Sequence, residues 1–169
     1  MGVNAETVRK VRELLGREPR GLEEVVVTGP DGSPRVIRVA SLVDGKPFPT
    51  LFWLVDADLC YRIDREEAGG TIAFLQAQID ADALLQSAMA ADHEAHIVLR
   101  DSFISDRLRQ QIEALGYGGV LQHKGVGGIA DFARIRCLHT WYAAHLVVPN
   151  TVGRMLDDRW LQAKQARVL

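Results

Sequence analysis

The chain has 169 residues, with Lys and Arg numbering 20 against 22 Asp and Glu, for a formal net charge of -2. That near balance supplies no long-range field for gathering a phosphate polymer, which argues against nucleic acid as a partner. No apolar run approaches the roughly 18 residues needed to cross a bilayer, the longest being Thr50 to Val55, so no membrane partner is expected either.

A chain of this length is about one domain and is expected to bury roughly 70% of its unfolded surface, enough for a core without covalent staples. The two cysteines, Cys60 and Cys137, are therefore expected as free thiols. The stretch from Met1 to Leu15 is polar and amphipathic, without the apolar centre of a secretory signal. A reducing, cytoplasmic setting is the expectation.

In chain order, Asn4 is placed to cap a helix in which Val8, Val11, Leu14 and Leu15 recur at helical spacing, and Gly16 follows where a left-handed terminal residue is wanted. Val25-Val26-Val27 and Val36-Ile37-Arg38-Val39 are β-branched runs separated by Thr28 to Pro34, whose Pro30-Asp31-Gly32 centre has the chemistry of a tight turn. A β-hairpin follows from that pattern. Asp44-Gly45-Lys46-Pro47 makes another turn, and Thr50 to Val55 suits a strand covered on both faces. Together these form a small antiparallel sheet of three strands.

After Asp58 the spacing becomes helical to the end. The pattern predicts helices over Leu59 to Glu67, Ile72 to Ile79, Ala81 to Arg100, Asp106 to Leu115, Phe132 to Val147 and Val152 to Ala166. Gly116 to Gly128 holds six glycines, the composition of a mobile or ligand-contacting loop. The expected class is α+β in a single unit, with 1–57 carrying the first helix and the sheet and 58–169 the helical part.

Reactive groups are densest at Arg134-Ile135-Arg136-Cys137-Leu138-His139 and on through Trp141 to His145. If all of this were one helix, turning about 100° and rising about 1.5 Å per residue, Cys137 and His145 would stand roughly 80° and 12 Å apart and His139 about 200° from Cys137. The three could not then share an ion, and another element would have to supply ligands opposite one of them. Cys137 near Arg134 and Arg136 also has the setting of a nucleophile, against which stands the plainer reading of a small core residue. Cys60, Trp141 and Tyr142 are read as packing.

His93 and His96 are three apart on one helical face, which differs from the His-Glu-x-x-His zinc signature with its four-residue spacing. An exposed polar face is the favoured reading for that pair. Asp56 and Asp58 end the apolar strand, and capping the next helix explains them more simply than a ligand role does. Arg17, Arg20, Arg134 and Arg136 would make an anion pocket only if the fold gathered them.

Leu15-Gly16-Arg17-Glu18-Pro19-Arg20-Gly21, then Gly45 to Leu54, then His93-Glu94 with Arg100-Asp101, then Arg136-Cys137-Leu138-His139 with Ala144-His145-Leu146 resemble the bacterial domain-of-unknown-function family 501, from Leu15 to about Gly153. The resemblance brings no biochemical activity with it. It does imply that the Arg17-Glu18-Arg20 loop, the strand end at Asp56, His93, Arg100 and the Cys137 segment converge. The implied site has Arg17, Glu18, Arg20, Arg100 and Arg136 as ligand-binding residues and Asp56, His93, Cys137, His139 and His145 as metal ligands, for a zinc or iron ion, between the sheet and the helix bearing Cys137. The sequence also departs from the family pattern. Members resembling it have Arg-Cys-Pro at Thr28-Gly29-Pro30 and Thr-Cys-Pro or Thr-His-Pro at Val55-Asp56-Ala57, so two soft ligands are missing and Asp56 stands as a harder one.

Two expectations follow. In the first, the protein binds a small anion or a metal, with a small molecule or a protein as partner and self-association into a homo-oligomer as a further state. In the second, the same residues form a buried polar network in a non-catalytic interaction module.

Overall fold

The structure, a computed structural model, describes residues 3–166. Helix α1 (Ala5–Leu15) is capped as expected: the Asn4 side chain accepts from the Thr7 amide at 2.8 Å, and Gly16 closes it at φ 66°. Strands β1 (Leu22–Thr28) and β2 (Pro34–Val39) form the hairpin, and β5 (Phe52–Leu54) lies on the other side of β2, giving an antiparallel order β1-β2-β5. Between them β3 (Leu42–Val43) and β4 (Lys46–Pro47) make a two-stranded ribbon. Its turn is Asp44-Gly45, both at positive φ (51° and 73°), the conformation a two-residue hairpin turn needs and an Asp-Gly pair tolerates.

Helices then follow without further strands among the described residues: α2 (Ala57–Ala68), α3 (Thr71–Ala81), α4 (Ala83–Ser102), α5 (Asp106–Ala114), α6 (Leu138–Val147) and α7 (Thr151–Ala166). The α+β class read from the sequence is what the chain adopts. None of these helices is long and apolar enough to cross a membrane.

Strand alternation divides the core. Val25, Ile37, Val39 and Val55 face α1 and its Val11, while Val36, Phe52 and Leu54 face the helices, meeting Ile63, Leu75, Ile79, Met89, Leu138, Trp141 and Leu156. In the short strand at 52–54, Phe52 and Leu54 are thus buried against the helices while Trp53 on the other face is only partly buried, and each fully buried side chain such as Ile37 or Leu138 contributes on the order of 2 kcal/mol. The glycine-rich segment from Gly116 to Gly128 is packed rather than loose: it holds two 3-10 turns (Leu121–His123 and Val126–Gly128) and buries Leu121 and Val126.

One element departs from the sequence pattern in a way that matters for the site. Periodicity predicted a helix from Phe132, but α6 begins only at Leu138, and Cys137 precedes it with extended backbone (φ -149°, ψ 122°). The physical reason is a partner distant in sequence. The side-chain amide of Gln76 on α3 donates to the Ala133 carbonyl (2.8 Å) and accepts from the Ile135 amide (2.9 Å), engaging the chain as a neighbouring strand would. Asp131 turns the preceding residues by accepting from the Ala133 amide. Backbone groups engaged this way are lost to a helical ladder.

Candidate metal centre

Because Cys137 is the last extended residue and His139 lies in the first turn of α6, the two side chains meet instead of diverging. Cys137 Sγ lies 3.8 Å from His139 Nδ1. The expectation that they point about 200° apart rested on a continuous helix and is corrected by the break at residue 137.

Helix α2 supplies the rest of the cluster. Glu67 Oε1 lies 3.4 Å from His139 Nδ1 and accepts from the Leu138 amide at 2.7 Å, so a carboxylate from another helix caps α6. Asp64, one turn earlier on α2, places Oδ1 3.3 Å from His139 Nε2. Donor atoms of Glu67, Cys137 and His139 all lie within 4.8 Å of one another. The cluster is reachable: the side chains of His139 and Glu67 are 24% and 29% exposed and Asp64 is 67% exposed.

The Cys137 sulfur, accepting from the imidazole, pushes the His139 pKa up to about 9, with both carboxylates adding to the effect and partial burial opposing it. The imidazole is held among a sulfur and two carboxylates, a setting that favours its protonated form near neutral pH.

The other expected site residues lie elsewhere. Asp56 caps α2 by accepting from the Leu59 amide (3.0 Å), as the simpler reading had it, and its other oxygen pairs with Arg35 at 2.8 Å. His93 is fully buried on α4, where Nδ1 accepts from the Val126 amide (3.0 Å) and the ring stacks on Phe132 and meets the edge of Trp141. His96 is also buried, edge-on to Phe52, so the favoured exposed polar face at this pair is corrected: α4 turns both imidazoles into the core. Burial pushes the His93 pKa down to about 4 and that of His96 to about 3. His145 uses both ring nitrogens within the fold, Nδ1 accepting from the Asn150 amide (3.0 Å) and Nε2 meeting Asp157 Oδ2 (3.0 Å), an oxygen pair that also receives the Tyr142 hydroxyl.

Arg100 is fully buried and donates to the carbonyls of Pro49 and Leu121. Arg136 is exposed, and Arg134 pairs with Asp80 at 3.4 Å. Arg17, Glu18 and Arg20 gather in a separate recess beside Phe48 and Trp53. The expectation of one shared pocket between sheet and helix is thus corrected. Asp56, His93, Arg100 and His145 have nearer partners, and of the expected metal ligands Cys137 and His139 come together.

Asp64 and Glu67 were missed. A signal for them was present, since Asp56, Cys60, Asp64 and Glu67 recur at helical spacing along one face of α2, but nothing local says that this face meets the start of α6.

The sequence profile of the family described as "Protein of unknown function (DUF501)" matches residues 25–158. The chain belongs to the DUF501 family. No curated protein and no solved structure matches it. In this DUF501 chain a Cβ on Gly29 would sit 3.4 Å from Arg35 Nε, and Asp56 Oδ2 is 2.8 Å from the same atom. Arg35 and Asp56 form an ion pair there, while Cys137 meets His139.

Proposed function

We propose that the protein binds a divalent transition metal, zinc by the chemistry of its donors, through Cys137 Sγ, His139 Nδ1 and the Glu67 carboxylate, with Asp64 as the group that orients His139. The observation that carries this reading is the convergence within 4.8 Å of a thiol just before α6, an imidazole in its first turn and a carboxylate from α2. Zinc bonds of about 2.3 Å to sulfur and 2.0–2.2 Å to nitrogen and oxygen imply tetrahedral edges of roughly 3.3–3.6 Å between donors. The separations of 3.8 Å for Sγ to Nδ1 and 3.4 Å for Nδ1 to Oε1 are close to those edges.

Asp64 completes the logic. With Nδ1 on the metal, Nε2 carries the proton and donates to Asp64, the carboxylate that fixes tautomer and ring orientation in histidine metal sites. Three protein ligands leave the fourth position to water or a ligand, the arrangement of catalytic rather than structural zinc. A water bound there would be activated as a nucleophile.

Elemental analysis of protein purified without chelator or a nickel column tests this directly, supported by cobalt(II) titration, in which a bound thiolate gives a near-ultraviolet charge-transfer band. Stoichiometric zinc, lost in Cys137→Ala, is the expected result. Absence of zinc together with no cobalt band overturns the proposal.

The network reading is favoured at the other positions by a specific observation: both ring nitrogens of His145 and the two terminal nitrogens of Arg100 meet a backbone amide, Asp157 and backbone carbonyls. Those residues hold the scaffold on which the metal site sits.

A further inference from the structure

A second recess, independent of the metal site, lies where the connection from α1 to β1 passes the ribbon and the end of the sheet. It has a volume of about 340 Å³ and is lined by Arg17, Glu18, Arg20, Val43, Phe48 and Trp53. Strand alternation makes its floor. Phe52 and Leu54 turn toward the helices, so Trp53 between them turns outward, only half-buried, with Phe48 edge-on at 5.7 Å.

The charges around this floor are unevenly matched. Arg17 lies over the Trp53 ring at 4.7 Å and forms no ion pair among the described residues. Arg20 reaches Asp44 at 3.1 Å, with both side chains well over half exposed, a pair of small energetic weight. The one carboxylate of the recess, Glu18, is already held by Arg12 at 2.6 Å. What remains is two half-buried aromatic rings under a guanidinium with no counter-charge.

We infer that this recess binds a planar aromatic ring bearing an anionic group, a carboxylate or a phosphate. Because Phe48 and Trp53 stand 63° apart and Arg17 lies over Trp53, the ligand ring stacks on one of the two and meets the other edge-on, with the guanidinium moving aside to the anionic group; stacking on an aromatic side chain is worth on the order of 1–3 kcal/mol per base-sized ring. The anionic group lies against Arg17, whose planar fork suits two oxygens at once. Neither half suffices alone: a bare anion leaves the rings wet, and an uncharged ring leaves Arg17 without its counter-charge.

Trp141 and Trp160 are buried at 0% and 7% exposure, so Trp53 is the indole placed to report a ligand in this recess. The full chain is titrated with adenosine 5′-monophosphate, 4-hydroxybenzoate, inorganic phosphate and adenosine, reading tryptophan fluorescence and calorimetry. A saturable response is expected from at least one of the two aromatic anions, and which one responds identifies phosphate or carboxylate as the anionic group. Binding at least about tenfold weaker, equivalent to roughly 1.4 kcal/mol, is expected for phosphate and adenosine and for the Arg17→Gln variant, whose Tm should be unchanged. Trp53→Leu should weaken binding by calorimetry. The inference is overturned if neither aromatic anion binds at millimolar concentration, if phosphate alone binds as tightly, or if Arg17→Gln binds as the unaltered chain does. Removing zinc with a chelator should leave this binding intact, which separates its failure from failure of the metal proposal.

Discussion

Cys137 Sγ and His139 Nδ1 stand 3.8 Å apart because the residue carrying the thiol is the last extended one before α6 and the residue carrying the imidazole lies in its first turn. On a continuous helix the same two side chains would face away from each other. The break at residue 137 is what brings the two side chains of a Cys-x-His string together.

Single substitutions in the cluster should separate ligands from the orienting carboxylate. Cys137→Ala and His139→Ala are expected to abolish stoichiometric zinc, whereas Asp64→Asn should retain a site weakened by about 10–100-fold, the usual cost of losing a second partner of a ligating histidine. Glu67→Gln keeps an acceptor for the Leu138 amide, so its effect should fall on zinc affinity more than on Tm. Competition with a chromophoric chelator measures these affinities. Equal loss in all four variants, or none, would contradict the assignment of roles.

Zinc bound as proposed would compete with the proton for His139. Since its pKa is raised to about 9, chiefly by Cys137, the metal must displace that proton at neutral pH. Zinc affinity should therefore rise steadily from pH 6 toward 9, with protons released on binding. Calorimetry in buffers of different ionisation enthalpy counts them. Without metal the linkage has the opposite sense. A histidine whose folded pKa lies above the ordinary value near 6.5 adds stability that is fully present below that value and is lost as pH rises through about 9. The apo protein should lose Tm over that interval, and His139→Gln should flatten the loss.

The two core histidines of α4 act in the other direction. His93 and His96 are buried and neutral, with pKa values pushed down to about 4 and about 3. A group whose folded pKa is depressed gives stability that is present above its unfolded value near 6.5 and is lost as pH falls toward the folded one. Thermal melts should show Tm falling between about pH 6.5 and 3. Replacing His96, which stands edge-on to Phe52, with Phe should reduce that slope. An unchanged slope in both His96→Phe and His93→Gln would count against these residues as its source.

Two glycines make room for imidazoles. A methyl group at Gly125 would collide with the His93 ring, and one at Gly153 with the His145 ring. Neither glycine has a positive φ that demands it, so the constraint is close approach alone. Gly125→Ala and Gly153→Ala are each expected to destabilise by about 1–3 kcal/mol through overpacking, read from denaturant midpoints. Gly32→Ala meets no neighbour, but its φ of 77° makes it a control for backbone strain rather than for space.

Much of the fold was written locally. Asn4 and Gly16 marked the ends of α1, Asp56 or Asp58 marked a cap for α2, and the β-branched runs around Asp31-Gly32 marked the hairpin, because caps, turns and alternation depend on residues a few positions apart. The beginning of α6 was not legible. Its apolar spacing extends back to Phe132, and Gln76, more than 50 positions earlier, engages residues 133 and 135 away from the helix.

The candidate site divides in the same way. Cys137 and His139 stood out by residue type, and the α2 face carrying Asp64 and Glu67 was readable as a periodicity, but their meeting depends on how α2 and α6 pack. By itself the sequence determined the α+β class, the element types and the presence of reactive groups, since these follow from short-range chemistry. Tertiary structure alone decided that Arg100, His93 and His145 turn inward to serve the backbone, that Arg17 lies over Trp53, and that a thiol, an imidazole and a carboxylate share one surface. A buried polar atom takes the nearest partner the packing offers, and that partner is set by the whole chain rather than by its neighbours in sequence.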